Sequence, residues 1–454
     1  MESAIGHRKL ITTILSNSIQ ILKGLIPLIC IPLFLNDVIQ GYWYTFTSLA
    51  ALTTFADLGF MTIVGQFSAY EYSHLKLNKE FEGEPEYIVR LASLLKFVSK
   101  WIGVVQLVAF PVITIIGFCV LMTNGAIMDW LFPWLIYMFA SLLSSIVSGY
   151  FAFFEGCDQI SNTQINRIFA NISVSGIMIL SMYFGLGLYS LALSNLVGAI
   201  INIILLFIRF RRPLIQLYKT PSTNVVSWKK SFLSLIWKYA LSWASGYFIV
   251  QIYTPLAYMC FDTVHAGKVG ITITLIQSCM TLANSWNTIV TPNMNMYAAN
   301  NEWDRMNKLE KKIFILTLLS CVVGYSILIL FFVFFRDKFE IFDRFLGNQS
   351  IILLCFGFTC QVLLSSIAVY GRAHKIEPFM VPSLISAGFI LTSTLILAYT
   401  LSIDYYFLGF AVSEFVSIIV FIVMYFKRRN KWHEQLLKQQ ELKVDDSESQ
   451  NASQ

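Results

Sequence analysis

Residues 41–70 read GYWYTFTSLAALTTFADLGFMTIVGQFSAY, an almost wholly apolar stretch with one carboxylate, Asp57, near its centre. A run of this length is sufficient to cross the roughly 30 Å hydrocarbon core of a bilayer as a helix. A charged side chain at the centre of such a helix costs about 2.5–3.5 kcal/mol on insertion scales. The stretch therefore predicts a membrane-spanning helix in which the acid has a specific role.

The composition of the whole chain agrees with this prediction. Of its 454 residues, 56% are hydrophobic and only 13% are charged, whereas a soluble domain has roughly 25% charged residues. The apolar residues cluster into runs of about 18 to 25, each long enough to span a bilayer. Because a membrane interior has no water to satisfy an open backbone, each run must be helical. We therefore predict an all-α integral membrane protein.

Twelve runs define the predicted spans. They are 11–35, 42–70, 101–122, 131–154, 168–186, 189–208, 239–259, 270–291, 313–335, 351–371, 379–400 and 405–426. The first run is interpreted as a retained span, because its apolar region is too long for a signal peptide. Most of the 32 Lys and Arg residues fall in alternate links and in the two terminal segments. By the positive-inside rule, both termini are predicted to lie in the cytoplasm.

The longest internal cytoplasmic link divides the spans into six plus six. The predicted domains are an N-terminal six-helix lobe (1–208), a cytoplasmic linker with an interfacial amphipathic helix (209–238), a C-terminal six-helix lobe (239–426) and a largely disordered cytoplasmic tail (427–454). In the linker, Trp228 and Phe232 share one helical face between lysines, a pattern that suits an anionic membrane surface. The division also suggests an internal repeat, and the pentapeptides GYWYT and GITIT open the second and eighth spans.

No pattern of residues points to a catalytic or cofactor site. The hexapeptide HAGKVG, residues 265–270, lacks the upstream glycine and the following Ser or Thr of a phosphate-binding loop. The eight cysteines lie in or beside apolar runs, without the spacing of a zinc site or a disulfide framework. The outer links are too short to bind an acceptor for glycosyl transfer. We predict that the protein is not an enzyme, and that it binds no cofactor, metal or nucleic acid.

The candidate functional residues are ionisable and amide side chains within the spans. They are Lys23, Asp57, Glu414, Gln20, Asn284 and Asn287. By residue count the three ionisable groups lie close to the bilayer midplane, where charges are usually paired or face a water-filled cavity. Two interpretations are open: a structural ion pair between Lys23 and Asp57, or an anionic substrate on Lys23 with a coupling cation on Asp57 or Glu414. The amides are either interhelical hydrogen-bonding groups or substrate ligands.

Three segments of the chain resemble a known family. GYWYTFTSLAALTTFADLGF (41–60) is similar to the second span of bacterial O-antigen flippases, with an aromatic residue after the glycine and an Asp-Leu-Gly triplet. FAFFEGCDQISNTQINRI (151–168) resembles their link after the fourth span, and NTIVTPNMNMYAANNEWDRMNKLEKK (287–312) their segment after the eighth. This polysaccharide transport family belongs to the multidrug/oligosaccharidyl-lipid/polysaccharide exporter (MOP) superfamily.

The resemblance implies a fold and a function. The fold would be twelve helices in two six-helix lobes around a central cavity, in a bacterial inner membrane. Such a protein would translocate an undecaprenyl-pyrophosphate-linked oligosaccharide, an O-antigen or capsule repeat unit, by alternating access. Its partners would be membrane lipids, and possible ones are a glycan polymerase and chain-length machinery. The alternatives are an ion-coupled drug or cation exporter of the same superfamily and, less favoured, a membrane polysaccharide polymerase.

The chain departs from the family pattern in its intramembrane cations. Many relatives are expected to hold the pyrophosphate with several cavity cations, whereas Lys23 alone lies within the predicted spans. Arg167, Lys238 and Arg372, at cytoplasmic span ends, are candidates to supplement it.

Overall fold

The computed structural model describes residues 2–57, 59–221, 228, 232, 245–374 and 379–452. In the first half of the chain the helices are α1 (Glu2–Phe34), α2 (Asp37–Ala50), α3 (Thr54–Asp57), α4 (Phe60–Tyr72), α5 (Pro85–Leu121), α6 (Ile127–Gly156), α7 (Ile160–Tyr183) and α8 (Tyr189–Lys219). The later helices are α9 (Tyr253–Cys260), α10 (Thr263–Ala299), α11 (Trp303–Phe335), α12 (Asn348–Ala373), α13 (Met380–Thr400) and α14 (Leu408–Ala452). Residues 228, 232 and 245–250 are also helical, and 3₁₀ turns, short links and one small β-hairpin make up the rest of the described chain.

Ten helices in the described residues are long and apolar enough to cross a membrane. They cover Ile11–Phe34, Pro85–Leu121, Ile127–Gly156, Ile160–Tyr183, Tyr189–Lys219, Thr263–Ala298, Trp303–Lys338, Asn348–Ala373, Met380–Thr400 and Ile403–Glu434. Each coincides with one of the twelve predicted spans, so the prediction of an all-α, multi-pass membrane fold is confirmed. The predicted span 42–70 is interrupted, and the predicted span 239–259 lies partly outside the described residues.

The chain forms two compact units, Met1–Gly270 and Ile271–Gln454. In the first unit, the predicted linker begins inside α8, which continues to Lys219 with a kink at Phe210. Further along the linker, the Trp228 indole donates a hydrogen bond to the Ser93 hydroxyl at 2.8 Å. Phe232 is also buried. These aromatic side chains of the predicted interfacial helix therefore contact protein, while the domain boundaries 1–208, 209–238 and 239–426 stay predictions.

The core of the first unit lies where α4, α5, α6 and α8 meet. Phe60, Leu94 and Phe154 are among its fully or almost fully buried members. On a separate face, α1 packs along α7, and α7 packs on α8. Because apolar side chains cover both faces of several of these helices, the packing is typical of a membrane bundle rather than of amphipathic surface helices.

The β-hairpin lies between α4 and α5. Its strands are β1 (Leu75–Leu77) and β2 (Phe81–Gly83), paired antiparallel with Leu75 opposite Gly83. The Gln216 amide of α8 accepts from the Phe81 backbone N–H at 2.7 Å and donates to the Phe81 carbonyl at 2.9 Å. This side chain therefore satisfies the edge of the small sheet that would otherwise be unpaired.

In the second unit, α12 packs on α11 and α14, and α13 packs on α14. Helix α14 extends well past the predicted end of the last span at residue 426. Trp432, in this extension, is 4% exposed and lies in an aromatic cluster with Phe379. The start of the predicted tail is therefore packed, and disorder of the remainder of 427–454 stays a prediction.

Helix α2 crosses the first turns of α10 at very close range. A Cβ atom on Gly41 would overlap the backbone oxygen of Thr263, and one on Gly270 would overlap the Tyr44 side chain. Only glycine permits such an approach of two helices. The two glycines that open GYWYT and GITIT therefore lie at one helix crossing.

Candidate membrane-embedded polar site

The predicted second span is broken where its acid lies. After α2, a 3₁₀ turn and the four-residue α3 lead to Asp57, and Gly59 adopts φ +74° just before α4. This left-handed conformation favours glycine, since a Cβ atom there collides with the backbone. The Thr54 hydroxyl donates to the Ala51 carbonyl at 2.8 Å, a local bond of the kind that competes with regular helix. The span therefore consists of two half-helices joined next to Asp57.

The Asp57 carboxylate caps the second half-helix. Its Oδ1 accepts a hydrogen bond from the backbone N–H of Met61 at 3.2 Å. The first N–H groups of a helix have no intrahelical partner, and a membrane interior offers no water to replace one. A carboxylate at this end also interacts favourably with the helix dipole. The acid that stands out in the sequence thus has a structural role, and its partly exposed side chain leaves room for a second one.

Lys23 lies on α1 and bonds to α7. Its ammonium donates to the Oδ1 atom of Asn171 at 3.3 Å, and the side chain is partly buried. Among the described residues, no ion pair joins Lys23 to Asp57. An amide oxygen solvates an ammonium but does not neutralise it. The geometry therefore gives no support to the structural ion pair, and anion binding by Lys23 stays a prediction.

Glu414 lies on α14 and is 1% exposed. Its Oε1 accepts from the Ser386 hydroxyl of α13 at 3.4 Å, and that hydroxyl lies 2.8 Å from the hydroxyl of Ser413. The Oε2 atom has no hydrogen-bond partner in the described part of the chain. A cavity of about 280 Å³ between α13 and α14 is lined by Ser386, Ser413 and Ser417 together with apolar side chains. A buried acid with hydroxyl partners beside a cavity is an arrangement suited to a proton or a small cation.

Asn284 and Asn287 form part of a hydrogen-bonded chain between α10 and α12. The Asn287 amide, 3% exposed, donates to the Asn284 side-chain oxygen at 2.8 Å. Its own side-chain oxygen accepts from the Ser366 hydroxyl at 2.8 Å. This geometry favours an interhelical role for Asn287. Asn284, the last side chain of this hydrogen-bonded series, is partly exposed, so ligand binding there stays a prediction.

The six candidates are divided between the two compact units. Gln20, which is exposed on the turn before Lys23, belongs with Lys23 and Asp57 to the first unit. Asn284, Asn287 and Glu414 belong to the second unit. Each unit therefore contains three of the candidate residues, and their roles as substrate or ion ligands stay predictions.

Sequence reasoning did not find Asn171 and Ser386, the partners of Lys23 and Glu414. Each is a polar residue inside an apolar span, which is the signal that could have drawn attention to it. The sequence separation of Lys23 and Asn171 is 148 residues. Because nothing in a single sequence indicates which two helices pack together, these pairings could not be assigned.

The three cations that are candidates to supplement Lys23 have different surroundings. The Arg167 guanidinium pairs with Glu155 Oε1 at 3.0 Å, and the Thr163 hydroxyl donates to the same oxygen at 2.9 Å. A carboxylate in the last turn of α6 therefore neutralises Arg167. Arg372 lies in the last turn of α12, and Lys238 lies outside the described residues.

Comparison with known proteins shows the fold but no family. No protein-family model matches the sequence, and no curated protein matches it either. Solved structures do match. Lipid II flippase MurJ in an inward closed conformation has a TM-score of 0.61 and 14% identity, covering 93% of this chain and 90% of its own. The MATE multidrug transporter DinF-BH in complex with R6G has a TM-score of 0.57 and 13% identity, covering 95% and 97%.

A further match is an inward-facing multidrug resistance MATE family transporter of the MOP superfamily. Its TM-score is 0.55 at 12% identity, and the alignment covers 90% of this chain and 99% of that one. At such low identity the likeness defines the fold alone. The chain therefore has the fold of the MATE and MurJ transporters, and the fold expected from the resemblance to MOP exporters is confirmed at that level.

Proposed function

We propose that this protein is a flippase for an undecaprenyl-pyrophosphate-linked oligosaccharide, an O-antigen or capsule repeat unit, in a bacterial inner membrane. The observation that carries the proposal is Lys23, a cation within a membrane-spanning helix whose partner is an amide rather than a carboxylate. A charge at this depth is retained where it pairs with another group or faces water. A pyrophosphate supplies the missing negative charge during transport.

The fold supports the same class of cargo. A sugar head group cannot cross hydrocarbon unaided, because each polar group must find a hydrogen-bond partner. The lipid tail has no such need and stays in the bilayer. Of the structurally similar proteins, MurJ is named as a flippase of lipid II, and that likeness supports the proposal of a lipid-linked cargo. A glycan polymerase and chain-length proteins would then act on the delivered repeat unit.

The remaining candidates are assigned to coupling and to the path. Asp57 and Glu414 are the proposed sites of a coupling cation, since each carboxylate has an oxygen without a hydrogen bond to another described residue. Gln20 and Asn284 offer exposed or partly exposed amides to the sugar. Alternating access of such a site would use the membrane potential, which supplies about 2.3 kcal/mol per charge for each 100 mV.

The experiment is a comparison of Lys23→Met with Lys23→Arg in cells that depend on this protein for surface glycan. Lys23→Met keeps the length of the side chain and removes its charge, so export should fall at least tenfold. Lys23→Arg keeps the charge and should retain most of the export. The readouts are surface glycan, lipid-linked intermediates on the inner leaflet, and the amount of protein in the membrane. Full export by Lys23→Met at normal protein level would refute the anion site.

The second candidate is an ion-coupled exporter of drugs or cations. The observation that favours it is Glu414, a buried acid without a cationic partner among the described residues. For this function, Glu414→Gln should increase sensitivity to cationic drugs while surface glycan stays intact. For the flippase, the same variant should reduce glycan export and leave drug sensitivity unchanged.

A further inference from the structure

A groove of about 600 Å³ runs along the first unit between α6 and α8. Its walls are largely apolar and include Leu143 and Ile146 of α6 and Ile203 and Phe207 of α8. The volume lies within the range of small-molecule sites. Two cationic side chains from α8 also line the groove: Arg211 and Lys219.

Helix α8 has a kink directly before Arg211. Phe210 has φ −113° and ψ 15°, outside the helical range, and Pro213 follows one turn later. The Phe210 ring stacks on Phe154 of α6, with ring centroids 4.0 Å apart. Proline cannot donate the regular helical hydrogen bond, so the helix bends at this position. Arg211 and Lys219 both follow this bend, and both line the groove.

Two aromatic hydroxyls contribute further polar groups to the lining of the groove. The Tyr150 and Tyr218 hydroxyls, which line the groove, lie 3.0 Å apart. The Ser99 hydroxyl of α5 lies 2.6 Å from Tyr218 and 3.2 Å from Tyr150. This cluster ties α5, α6 and α8 together and holds the two rings in place. Tyrosines with an apolar body and a polar tip are typical of the membrane–water interface.

The two cations have no anionic partner in the described part of the chain. Neither Arg211 nor Lys219 forms an ion pair there, and both side chains are exposed. The nearby Arg209 is different, since it donates to the Asn162 side chain on α7 at 3.1 Å. A largely apolar groove that is also lined by two unneutralised cations fits a molecule with hydrocarbon chains and an anionic head.

We propose that this groove binds an anionic phospholipid of the surrounding bilayer, with its phosphate at Arg211 and Lys219 and an acyl chain along Leu143 and Phe207. Under the predicted topology the lipid comes from the cytoplasmic leaflet. The groove is lined by none of the six candidate transport residues, so the proposal holds whichever cargo the protein carries. A soluble phosphate would contact only the two cations and leave the apolar wall of the groove empty.

The test is lipid binding by the purified full-length protein, measured by native mass spectrometry after delipidation. Phosphatidylglycerol and phosphatidylcholine with the same acyl chains are titrated separately, and glycerol 3-phosphate is the headgroup probe. We expect phosphatidylglycerol to bind at least tenfold more tightly than either. Each surface cation contributes about fivefold, so the double variant Arg211→Gln/Lys219→Gln should bind about thirtyfold more weakly. Arg212→Gln is the matched control, since Arg212 is exposed beside Arg211 but does not line the groove.

A second variant tests the apolar part. Leu143→Trp fills the groove without altering its charge and should weaken phosphatidylglycerol binding while the protein remains folded, as judged by its thermal unfolding. Equal binding of phosphatidylcholine, or an Arg212→Gln effect as large as that of the double variant, would contradict the site. Tight binding of glycerol 3-phosphate that Leu143→Trp leaves unchanged would identify a phosphate site and overturn the lipid proposal.

Discussion

In two helices, α4 and α10, a backbone N–H of the first turn bonds to a preceding aspartate, and the two aspartates lie in different surroundings. Helix α4 follows Asp57 in the middle of a predicted span, whereas α10 follows Asp262 in the link between two spans. Each carboxylate accepts a backbone hydrogen bond from the first turn of its helix. The bond from Met61 to Asp57 is 3.2 Å, and the bond from His265 to Asp262 is 2.7 Å.

Because the two aspartates have different surroundings, the same cap contributes differently to stability at each position. At the link, water can take over the exposed N–H groups if the carboxylate is lost. Inside a bilayer no water is available, and an unsatisfied backbone group costs several kcal/mol. The helices that follow differ as well, because α10 continues without a break for 37 residues while α4 has only 13. An acid at midspan can therefore signal an interrupted helix, besides a binding site.

The largest expected effect is at the crossing where α2 meets α10. Gly41→Ala would place a methyl group against the backbone of Thr263, so the free energy of unfolding should fall by about 1–3 kcal/mol. Gly324→Ala is the control, because the space around Gly324 is open. Denaturant titration of the purified protein measures both. Equal stability of the two variants would show that α2 and α10 are not in close contact.

The next effect tests the two caps directly. Asp57→Ala should lower the free energy of unfolding by about 2 kcal/mol, at the upper end of measured cap effects. Asp57→Asn keeps an accepting oxygen and should cost less than half as much. Asp262→Ala should cost about 0.5–1 kcal/mol, since water can replace its side chain. The same denaturant titration applies, and an equal loss for Asp57→Ala and Asp262→Ala would refute the difference between the two caps.

A smaller effect tests the break itself. Gly59→Ala introduces a Cβ atom at φ +74° and should cost about 1–2 kcal/mol. Gly176→Ala is the control, because Gly176 lies inside α7 with open space around it. That control should be neutral or stabilising by up to about 1 kcal/mol. If thermal unfolding shows that both variants are more stable than the wild-type protein, the span is a continuous helix at Gly59.

The smallest effect is a pH dependence at the Asp262 cap. Burial alone would raise the pKa of Asp262, but hydrogen bonds from the backbone and ring of His265 outweigh it and lower that pKa. A depressed acid contributes stability above its unfolded pKa of about 3.9, and this contribution is lost as pH falls through the folded pKa. Wild-type protein should therefore lose slightly more stability than Asp262→Asn between pH 6 and pH 3. Parallel unfolding midpoints for the two proteins over this range would contradict the coupling.

Much of the fold was predictable because the signal for a membrane span is local. An apolar run of sufficient length specifies a helix without reference to any other part of the chain. The break at Asp57 and Gly59 was not predicted, although the Asp-Leu-Gly triplet was singled out as a family feature. A glycine and an acid are also found in continuous spans. Their meaning depends on the backbone conformation at Gly59 and on which N–H group the carboxylate reaches.

The candidate site likewise has a part that the sequence predicts and a part that it does not. Hydropathy identified Lys23, Asp57 and Glu414 as costly and therefore informative residues, since the cost of a buried charge follows from the residue and its depth alone. The distinction between an ion pair and separate roles was not available from that cost. The structure adds the bond from Lys23 to Asn171 on a different helix, while the functional roles stay predictions.

The amino-acid sequence by itself determined that this is an all-helical membrane protein, where ten of its apolar spans lie and which costly polar groups the predicted spans contain. These properties are sums over neighbouring residues, and such sums can be read along the chain. Only the tertiary structure decided that Asp57 caps a half-helix, that Lys23 bonds to an amide, and that Arg211 and Lys219 line an otherwise largely apolar groove. Hydrogen bonds and charge neutralisation depend on separations of a few ångströms between helices, and folding alone sets those distances.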